Sequence, residues 1–136
     1  MEVKYAVEEN LQINEFIQVL IDSGLAERRP ILDPERIGKM LENANLVITA
    51  RMNGKLIGVA RSLSDFAYCT YLSDLAVSKV HQKSGIGKEL IRMTKVTAGE
   101  AKLILLSAPA AVDYYPRIGM KRHNHCFILD DLNELI

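Results

Sequence analysis

The chain has 136 residues, in which 17 lysines and arginines balance 17 aspartates and glutamates. A formal net charge of zero gives no electrostatic basis for binding a nucleic-acid backbone or an anionic membrane. Hydrophobic residues make up 49% of the chain and charged residues 25%, which excludes the disordered, collagen-like and coiled-coil classes. A chain of this length predicts a single domain over residues 1–136.

The cysteines and the apolar runs bear on compartment and cofactors. Cys69 and Cys126 lie outside any C-x-x-C unit, which predicts two ordinary buried thiols, with a single disulfide as the alternative, and no metal site. The N-terminus lacks the apolar segment of a signal peptide, and the run 103–106 is too short to cross a bilayer. We therefore expect a cytoplasmic protein without a membrane or nucleic-acid partner.

Hydrophobic periodicity and turn residues predict the secondary structure. Asp33-Pro34 is typical of a helix start, and Asn53-Gly54 is typical of a two-residue hairpin turn. The run 103–107 has no polar alternation, which favours an interior strand covered on both faces. The predicted strands are 3–7, 46–50, 56–61, 69–77, 103–107 and 123–129. The predicted helices are 11–23, 87–98 and 112–115, with a further helix that begins at Pro34 and includes Ile37, Met40 and Leu41.

This element order, β-α-α-β-β-β-α-β-α-β, combines an antiparallel meander with a β-α-β crossover. It predicts an α/β (mixed α+β) fold with one mixed, mostly antiparallel central sheet. We expect six or seven strands, with helices on both faces.

One segment has the features of an anion-binding site. It runs from the strand end Leu75-Ala76-Val77 through Gln82-Lys83-Ser84-Gly85-Ile86-Gly87-Lys88 into a helix. A helix N-terminus offers unpaired N–H groups and a positive dipole end, and glycines let a phosphate approach the backbone. The alternative is that the two glycines only form a tight strand-to-helix connection.

Two common phosphate-binding motifs do not fit this segment. A Walker loop requires glycine where Gln82 stands and serine or threonine where Glu89 stands. A dinucleotide fingerprint requires a third glycine at Leu90. The pattern that remains is Q-x-x-G-x-G between a strand and an amphipathic helix.

This pattern resembles the acetyl-coenzyme A pyrophosphate loop of the GCN5-related N-acetyltransferases, the GNAT family. The segment Asp113-Tyr114-Tyr115-Pro116-Arg117-Ile118-Gly119-Met120 is similar to the aromatic-Tyr-x-x-Leu-Gly-Phe segment of that family. The Asn53-Gly54 hairpin is similar to its second and third strands. The resemblance covers about residues 45–127 in the family's order, and the predicted element order agrees over the whole chain.

The resemblance implies roles for particular residues. The backbone of Leu75, Ala76 and Val77 would contact the pantetheine arm of acetyl-CoA, because in the family this strand splays from its neighbour. Residues from Gln82 to Lys88 would cradle the pyrophosphate. A homodimer would also be in keeping with the family.

Tyr115 matches the family tyrosine that protonates the departing coenzyme A thiolate. A phenol with a pKa near 10 can donate a proton to such a group; the alternative is a packed tyrosine with a satisfied hydroxyl. Pro116 departs from the charged residue that is usual in the family at that position. Ala108 departs from the asparagine that many members use to contact the pantetheine arm.

Asp74 is the acidic residue nearest the expected reaction centre, and two interpretations stay open. It could act as the general base, or it could be structural and paired with an arginine such as Arg61. In a regular strand Leu72, Asp74 and Ala76 would share one face, and a bulge would change that set. On the acceptor side, Arg28 and Arg29 could meet a carboxylate, and Asp65 could attract an amine.

The resemblance implies an enzyme that moves acetyl directly from acetyl-CoA to a primary amine, through a ternary complex and without a metal. The first alternative is an acyl-CoA-binding regulatory module of the same fold without turnover. The second is a structural or interaction domain that does not bind coenzyme A.

Overall fold

A computed structural model describes residues 2–136, which form two compact units. The first unit extends to Leu106 and the second comprises Ser107–Ile136. The strands of the first unit are β1 (Val3–Val7), β2 (Leu46–Met52), β3 (Lys55–Ser64), β4 (Cys69–Val77) and β5 (Lys102–Leu105). Its helices are α1 (Ile13–Ser23), α2 (Pro34–Glu42) and α3 (Ile86–Ala98), with short 3-10 helices at Leu25–Arg28 and Lys79–His81.

The strands form a single sheet in the order β1-β2-β3-β4-β5. All neighbours pair antiparallel except β4 and β5, which are parallel and joined through α3. The mixed, mostly antiparallel sheet is therefore confirmed. The predicted strand number of six or seven is wrong, because the sheet has five strands.

Helices cover both faces of the sheet, as predicted. Alternate residues of β2 point to opposite faces, so that Ile48 packs with α3 and Val47 packs with α1 and α2. Gly58 lets α3 approach the sheet, since a Cβ there would lie 3.2 Å from Leu90 Cδ1 and 3.3 Å from Ile86 Cγ2. The prediction of an interior β5 is wrong, because β5 is an edge strand whose residues alternate between exposed and half-buried.

Local signals in the sequence explain several element ends. Gly24 ends α1 in the left-handed conformation at φ 87°, and the Asp33 carboxylate accepts from the Arg36 N–H at 3.1 Å to begin α2. Asn53 and Gly54 both have positive φ, at 53° and 81°, and connect β2 to β3 as the predicted hairpin.

An arginine at the second strand ties β1, β2 and α1 together. Arg51 Nε lies 2.6 Å from Glu8 Oε1, and Arg51 Nη1 lies 2.6 Å from Glu15 Oε2. Thr49 Oγ1 adds a hydrogen bond of 2.8 Å to Glu8 Oε1. We call Arg51, Glu8 and Glu15 the Arg51 cluster.

The second unit contains only short helices among the described residues: 3-10 helices at Pro109–Ala111 and Leu132–Glu134 and α4 at Tyr114–Arg117. The predicted strand over 123–129 is wrong, because that stretch is irregular. The stretch contains a turn at residues 124–125, where the His125 N–H donates to His123 Nδ1 at 3.0 Å, and no strand pairs with it among the described residues. Whether the two units act as one domain stays a prediction.

Two further expectations concern the state of the cysteines and the presence of membrane-spanning helices. Cys69 and Cys126 are free thiols, as expected, but both are exposed, so the prediction of burial is wrong. Within residues 2–136, no helix is both long and apolar enough to cross a membrane.

Candidate active site

The last five residues of β4 have a free outer edge. Pairing with β5 covers Cys69 to Leu72 only, whereas β4 continues to Val77. The Ser78 N–H donates to Ile57 O on β3 at 2.8 Å, so the alternation of an antiparallel pair directs the backbone of Ala76 toward β3 as well. The backbone groups of Leu75 and Val77 therefore point to the free edge.

A β-bulge sets the orientation of this segment. Arg61 pairs with Asp74 and Ser62 pairs with Leu72, so Ser73 is an extra residue on β4. After the bulge the side chains change faces: Leu72, Leu75 and Val77 pack on the α3 side, and Ala76 packs on the side of α1 and α2. The bulge that the sequence left open is therefore present, and Leu72 and Ala76 lie on opposite faces of the sheet.

Asp74 is fully buried between two arginines. Its Oδ1 lies 2.5 Å from Arg29 Nε, and its Oδ2 forms an ion pair with Arg61 Nε. Burial of a carboxylate is tolerated when it is paired and hydrogen-bonded in this way. The contacts favour the structural interpretation of Asp74, because they leave no open face of the carboxylate for an amine.

The same arginines hold the bulge. Arg29 Nη2 donates to Ser73 O at 2.8 Å, and Arg61 Nη2 donates to Ser73 Oγ at 3.0 Å. Arg61 Nη1 also donates to Met40 O in α2 at 3.0 Å. We call Asp74, Arg29 and Arg61 the Asp74 cluster. Arg61 was expected from the sequence as a partner of Asp74, whereas Arg29 was not, because its only local signal is the proline that follows it.

The connection after β4 is fixed by its own hydrogen bonds. Gln82 Nε2 donates to Val77 O at 2.8 Å, which leaves the N–H of Val77 and both backbone groups of Leu75 at the free edge. Ser84 Oγ donates to His81 O. Lys83 has φ 65°, a left-handed conformation that is uncommon for a residue other than glycine. Gln82, Lys83, Ser84 and Gly85 are all exposed.

The N-terminus of α3 presents free donors next to this connection. Gly85 is the N-cap at φ 85°, and no side chain caps the helix. Within the described residues the first N–H to bond back is that of Glu89, to Gly85 O at 3.1 Å, so the N–H groups of Ile86, Gly87 and Lys88 have no acceptor. Apart from Gly85 itself and its neighbours along the chain, no described atom lies within 4 Å of where a Cβ on Gly85 would be. These open donors, with Lys83 and Lys88 beside them, fit a diphosphate.

Tyr115 lies in the second unit, where it begins the short helix α4 together with Tyr114. The two rings are edge to face with centroids 5.2 Å apart. Burial raises the pKa of the Tyr115 phenol above its ordinary value, and the neighbouring Tyr114 adds to the shift. The phenol is therefore protonated at neutral pH.

The residues proposed to contact the acceptor substrate differ in whether their side chains already have partners within the protein. Arg28 is exposed, whereas Arg29 is held in the Asp74 cluster. The Asp65 carboxylate accepts the backbone N–H groups of Ala67, Tyr68 and Cys69 at 2.9, 2.8 and 3.0 Å. These bonds lower the pKa of Asp65 to about 2, so the residue is charged but occupied by its own turn.

A surface pocket and the metal-binding potential of the chain also bear on the site. A surface pocket of about 250 Å³ lies elsewhere, between the start of α1, α2 and β2, where Glu8, Glu9 and Glu42 line it. No group of three histidine, cysteine or acidic side chains within residues 2–136 is arranged to hold a metal.

Comparison with known proteins identifies the family. A family model described as an acetyltransferase (GNAT) domain matches residues 16–132, most of the chain. The chain belongs to the GNAT acetyltransferase family. No curated protein sequence matches it.

Solved structures of several proteins described as acetyltransferases share the fold. A Deinococcus radiodurans R1 protein, provisionally named an acetyltransferase, is 25% identical with a TM-score of 0.71 over 94% of this chain and 88% of its own. An aminoglycoside acetyltransferase from an uncultured soil metagenomic sample, in complex with trehalose, is 25% identical with a TM-score of 0.67 over 93% and 95%. A GNAT family acetyltransferase from Streptococcus pneumoniae, 15% identical, has a TM-score of 0.71 over 96% and 100%.

Proposed function

We propose that this GNAT protein is an acetyl-CoA-dependent N-acetyltransferase that moves the acetyl group directly to a primary amine through a ternary complex. The observation that supports it most is that two open sets of backbone groups follow one another in the chain. The first is the free edge of β4 at Leu75 and Val77, and the second is the set of unpaired N–H donors at the start of α3. A diphosphate with a long amide-bearing arm matches both features. Acetyl-CoA would supply the reactive thioester.

The residues of this chain would divide the binding between them. The N–H groups from Ile86 to Lys88, with the ammonium groups of Lys83 and Lys88, would bind the pyrophosphate. The N–H and C=O of Leu75 and the N–H of Val77 would hydrogen-bond the amides of the pantetheine arm. Ala76 would contribute packing only, because its backbone bonds to β3. Gln82 and Ser84 would hold the connection in shape.

Tyr115 would act as the general acid. The amine nitrogen forms a bond to the acetyl carbon, the carbon–sulfur bond breaks, and the phenol O–H donates its proton to the departing thiolate. The raised pKa of Tyr115 favours this role, because it keeps the donor protonated. The base that removes the amine proton would be solvent water, since the Asp74 carboxylate is closed in by two guanidinium groups.

Isothermal titration with acetyl-CoA, alongside coenzyme A and ATP, tests the binding half of this proposal. Gly85→Asp and Gly85→Asn form a matched pair, because both side chains tolerate positive φ and have the same size, and only aspartate adds charge. We expect the aspartate variant to bind acetyl-CoA at least tenfold more weakly than the asparagine variant. Equal affinities, or a folded wild type that binds neither coenzyme A species, would contradict the assignment of the loop.

Thiol release from acetyl-CoA with a panel of amines tests the catalytic half. The panel should contain a polyamine, a lysine peptide and the aminoglycoside sisomicin, since a similar metagenomic acetyltransferase is described in complex with sisomicin. Tyr115→Phe should lower turnover by about a hundredfold or more while acetyl-CoA binding is unchanged.

The alternative is an acyl-CoA-binding regulatory module without turnover. Two observations favour it: Ala108 cannot supply the side-chain amide that many family members use, and Asp74 is engaged by two arginines. Saturable binding of acetyl-CoA without thiol release across the whole panel would select this alternative.

A further inference from the structure

Arg29 connects two distant segments at the point where β4 parts from β5. It lies just after the 3-10 helix Leu25–Arg28 that follows α1, and its side chain reaches Ser73 and Asp74, 44 and 45 residues away along the chain. Pairing between β4 and β5 stops at Leu72, one residue before Ser73. Arg29 therefore contacts the bulge where the free edge begins.

The local sequence fixes the direction of this side chain. The Arg29 N–H donates to Ala26 O at 3.1 Å, and its backbone is extended at φ −135° and ψ 153°. Pro30 favours that conformation, because a residue before proline is disfavoured in the helical region. The guanidinium is thus presented to β4 by a constrained backbone.

The three guanidinium nitrogens of Arg29 have different partners. Nε binds Asp74 Oδ1 at 2.5 Å, Nη2 binds Ser73 O at 2.8 Å, and Nη1 binds Arg28 O at 2.9 Å. A planar fork can serve several acceptors at once in fixed directions, which a lysine ammonium cannot do. The bulge carbonyl, the buried carboxylate and the loop backbone are therefore held in one arrangement.

In the proposed function, the pantetheine arm of acetyl-CoA runs back along the free edge of β4 from the start of α3. Its acyl end would then lie toward Ser73, beside the segment that Arg29 fastens. We propose that Arg29 is a positioning residue, which locks the segment between α1 and α2 to the β4 bulge and so aligns the acceptor with the acyl group. This inference rests on the proposed acetyltransferase function.

Arg28 provides a matched control when the acceptor amine carries no carboxylate, as with the polyamine or sisomicin, because a carboxylate is the group that its side chain could bind. It is the adjacent arginine, it is exposed, and its replacement makes the same change in charge. Only its backbone carbonyl takes part in the Arg29 contacts, and alanine keeps that carbonyl. Arg28→Ala and Arg29→Ala therefore differ in the contact to β4 and not in net charge.

The experiment compares wild type, Arg28→Ala, Arg29→Ala and Arg29→Lys. For each, acetyl-CoA affinity is measured by titration, and thiol release is measured with the best amine of the panel and with water alone. We expect kcat of Arg29→Ala to fall by about tenfold to a hundredfold, the scale of a small misalignment. Acetyl-CoA affinity should stay within threefold, because the α3 donors are untouched.

Two further readouts separate positioning from stability. Arg29→Lys keeps the positive charge beside Asp74 but lacks the planar guanidinium. Compared with Arg29→Ala, it should therefore recover more of the wild-type melting temperature than of the wild-type kcat. Millimolar guanidinium should raise the kcat of Arg29→Ala and leave that of Arg28→Ala unchanged.

The outcomes are distinguishable. Equal kcat in Arg28→Ala and Arg29→Ala, with an active wild type, would overturn the positioning role and leave the proposed function standing. Loss of kcat in Arg29→Ala that follows loss of folded protein, and that lysine restores completely, would also overturn it. A wild type that binds acetyl-CoA without releasing thiol would overturn both this inference and the catalytic proposal.

Discussion

The Asp74 cluster and the Arg51 cluster both consist of guanidinium and carboxylate groups, but in opposite ratios. In the first, one carboxylate is shared by two arginines, and in the second, one arginine is shared by two glutamates. Each lies beside a β-bulge, since the register shifts at Arg61/Ser62 and at Ala50/Arg51. The two clusters therefore differ mainly in burial and in what they border.

Burial separates the two clusters clearly. The Asp74 side chain is 0% exposed and the Arg61 side chain 7%, whereas Arg51 and Glu8 are 22% and 24% exposed. Asp74 or Arg61 left without its partner cannot reach water, whereas Arg29, whose side chain is 21% exposed, and the members of the Arg51 cluster can hydrate. The Asp74 cluster borders the free edge of β4, and the Arg51 cluster joins β1, β2 and α1 away from it. Similar ion pairs should thus have unequal effects.

The largest effect on stability is expected for Asp74→Ala. This change leaves Arg61 buried and Arg29 partly buried without their carboxylate. The free energy of unfolding should fall by about 3–5 kcal/mol, as measured by urea denaturation. A loss below about 1 kcal/mol would show that the arginines find water or other acceptors, and the contrast in burial would then have no energetic meaning.

Arg51→Met should have a smaller effect. Methionine keeps much of the apolar stem, and Glu8 and Glu15 are exposed enough to hydrate. We expect a loss of about 1–2 kcal/mol in the same urea experiment. A loss equal to that of Asp74→Ala would mean that the number of ion pairs, and not their burial, determines the effect.

The Arg51 cluster should also make stability depend on acid. The hydrogen bond from Arg51 is the main cause that lowers the pKa of Glu8 below its ordinary value of 4.5. The unfolded chain therefore takes up a proton before the folded one, so the stabilisation is complete above pH 4.5 and is lost as pH falls through the lowered pKa. Glu8→Gln should flatten this part of the curve of unfolding free energy against pH; an unchanged slope would contradict the assignment to Glu8.

The smallest effect is expected for Ser62→Ala. Ser62 lies opposite the bulge, and its Oγ is buried without a hydrogen-bond partner among the described residues. Removing an unsatisfied hydroxyl should change the unfolding free energy by less than about 1 kcal/mol, in the stabilising direction. A clear destabilisation would indicate that the hydroxyl supports the bulge and belongs with the Asp74 cluster.

Much of the fold follows from local patterns. Helical spacing and the Asp33-Pro34 signal predicted α2, the Asn53-Gly54 pair predicted the β2–β3 hairpin, and the bounds of β1 and β4 agree with the structure. The strand expected over 123–129 is absent: the stretch is irregular, with a turn at 124–125 where the His125 N–H donates to His123 Nδ1. Apolar composition could not show whether a pairing partner was available.

The order of residues along the chain was enough to predict the chemistry of the loop. The glycines, lysines and helix start from Gln82 to Lys88 lie next to one another in the chain, so their spacing already predicts an anion-binding helix N-terminus.

The burial of Asp74 and the position of Ser73 in a bulge, by contrast, depend on contacts between distant segments. The partners of Asp74 come from residues 29 and 61, and the bulge exists only in the register between β3 and β4. Burial, pairing and register are properties of segments brought together from far apart. A local pattern predicts which groups are present, and packing decides which of them are free to react.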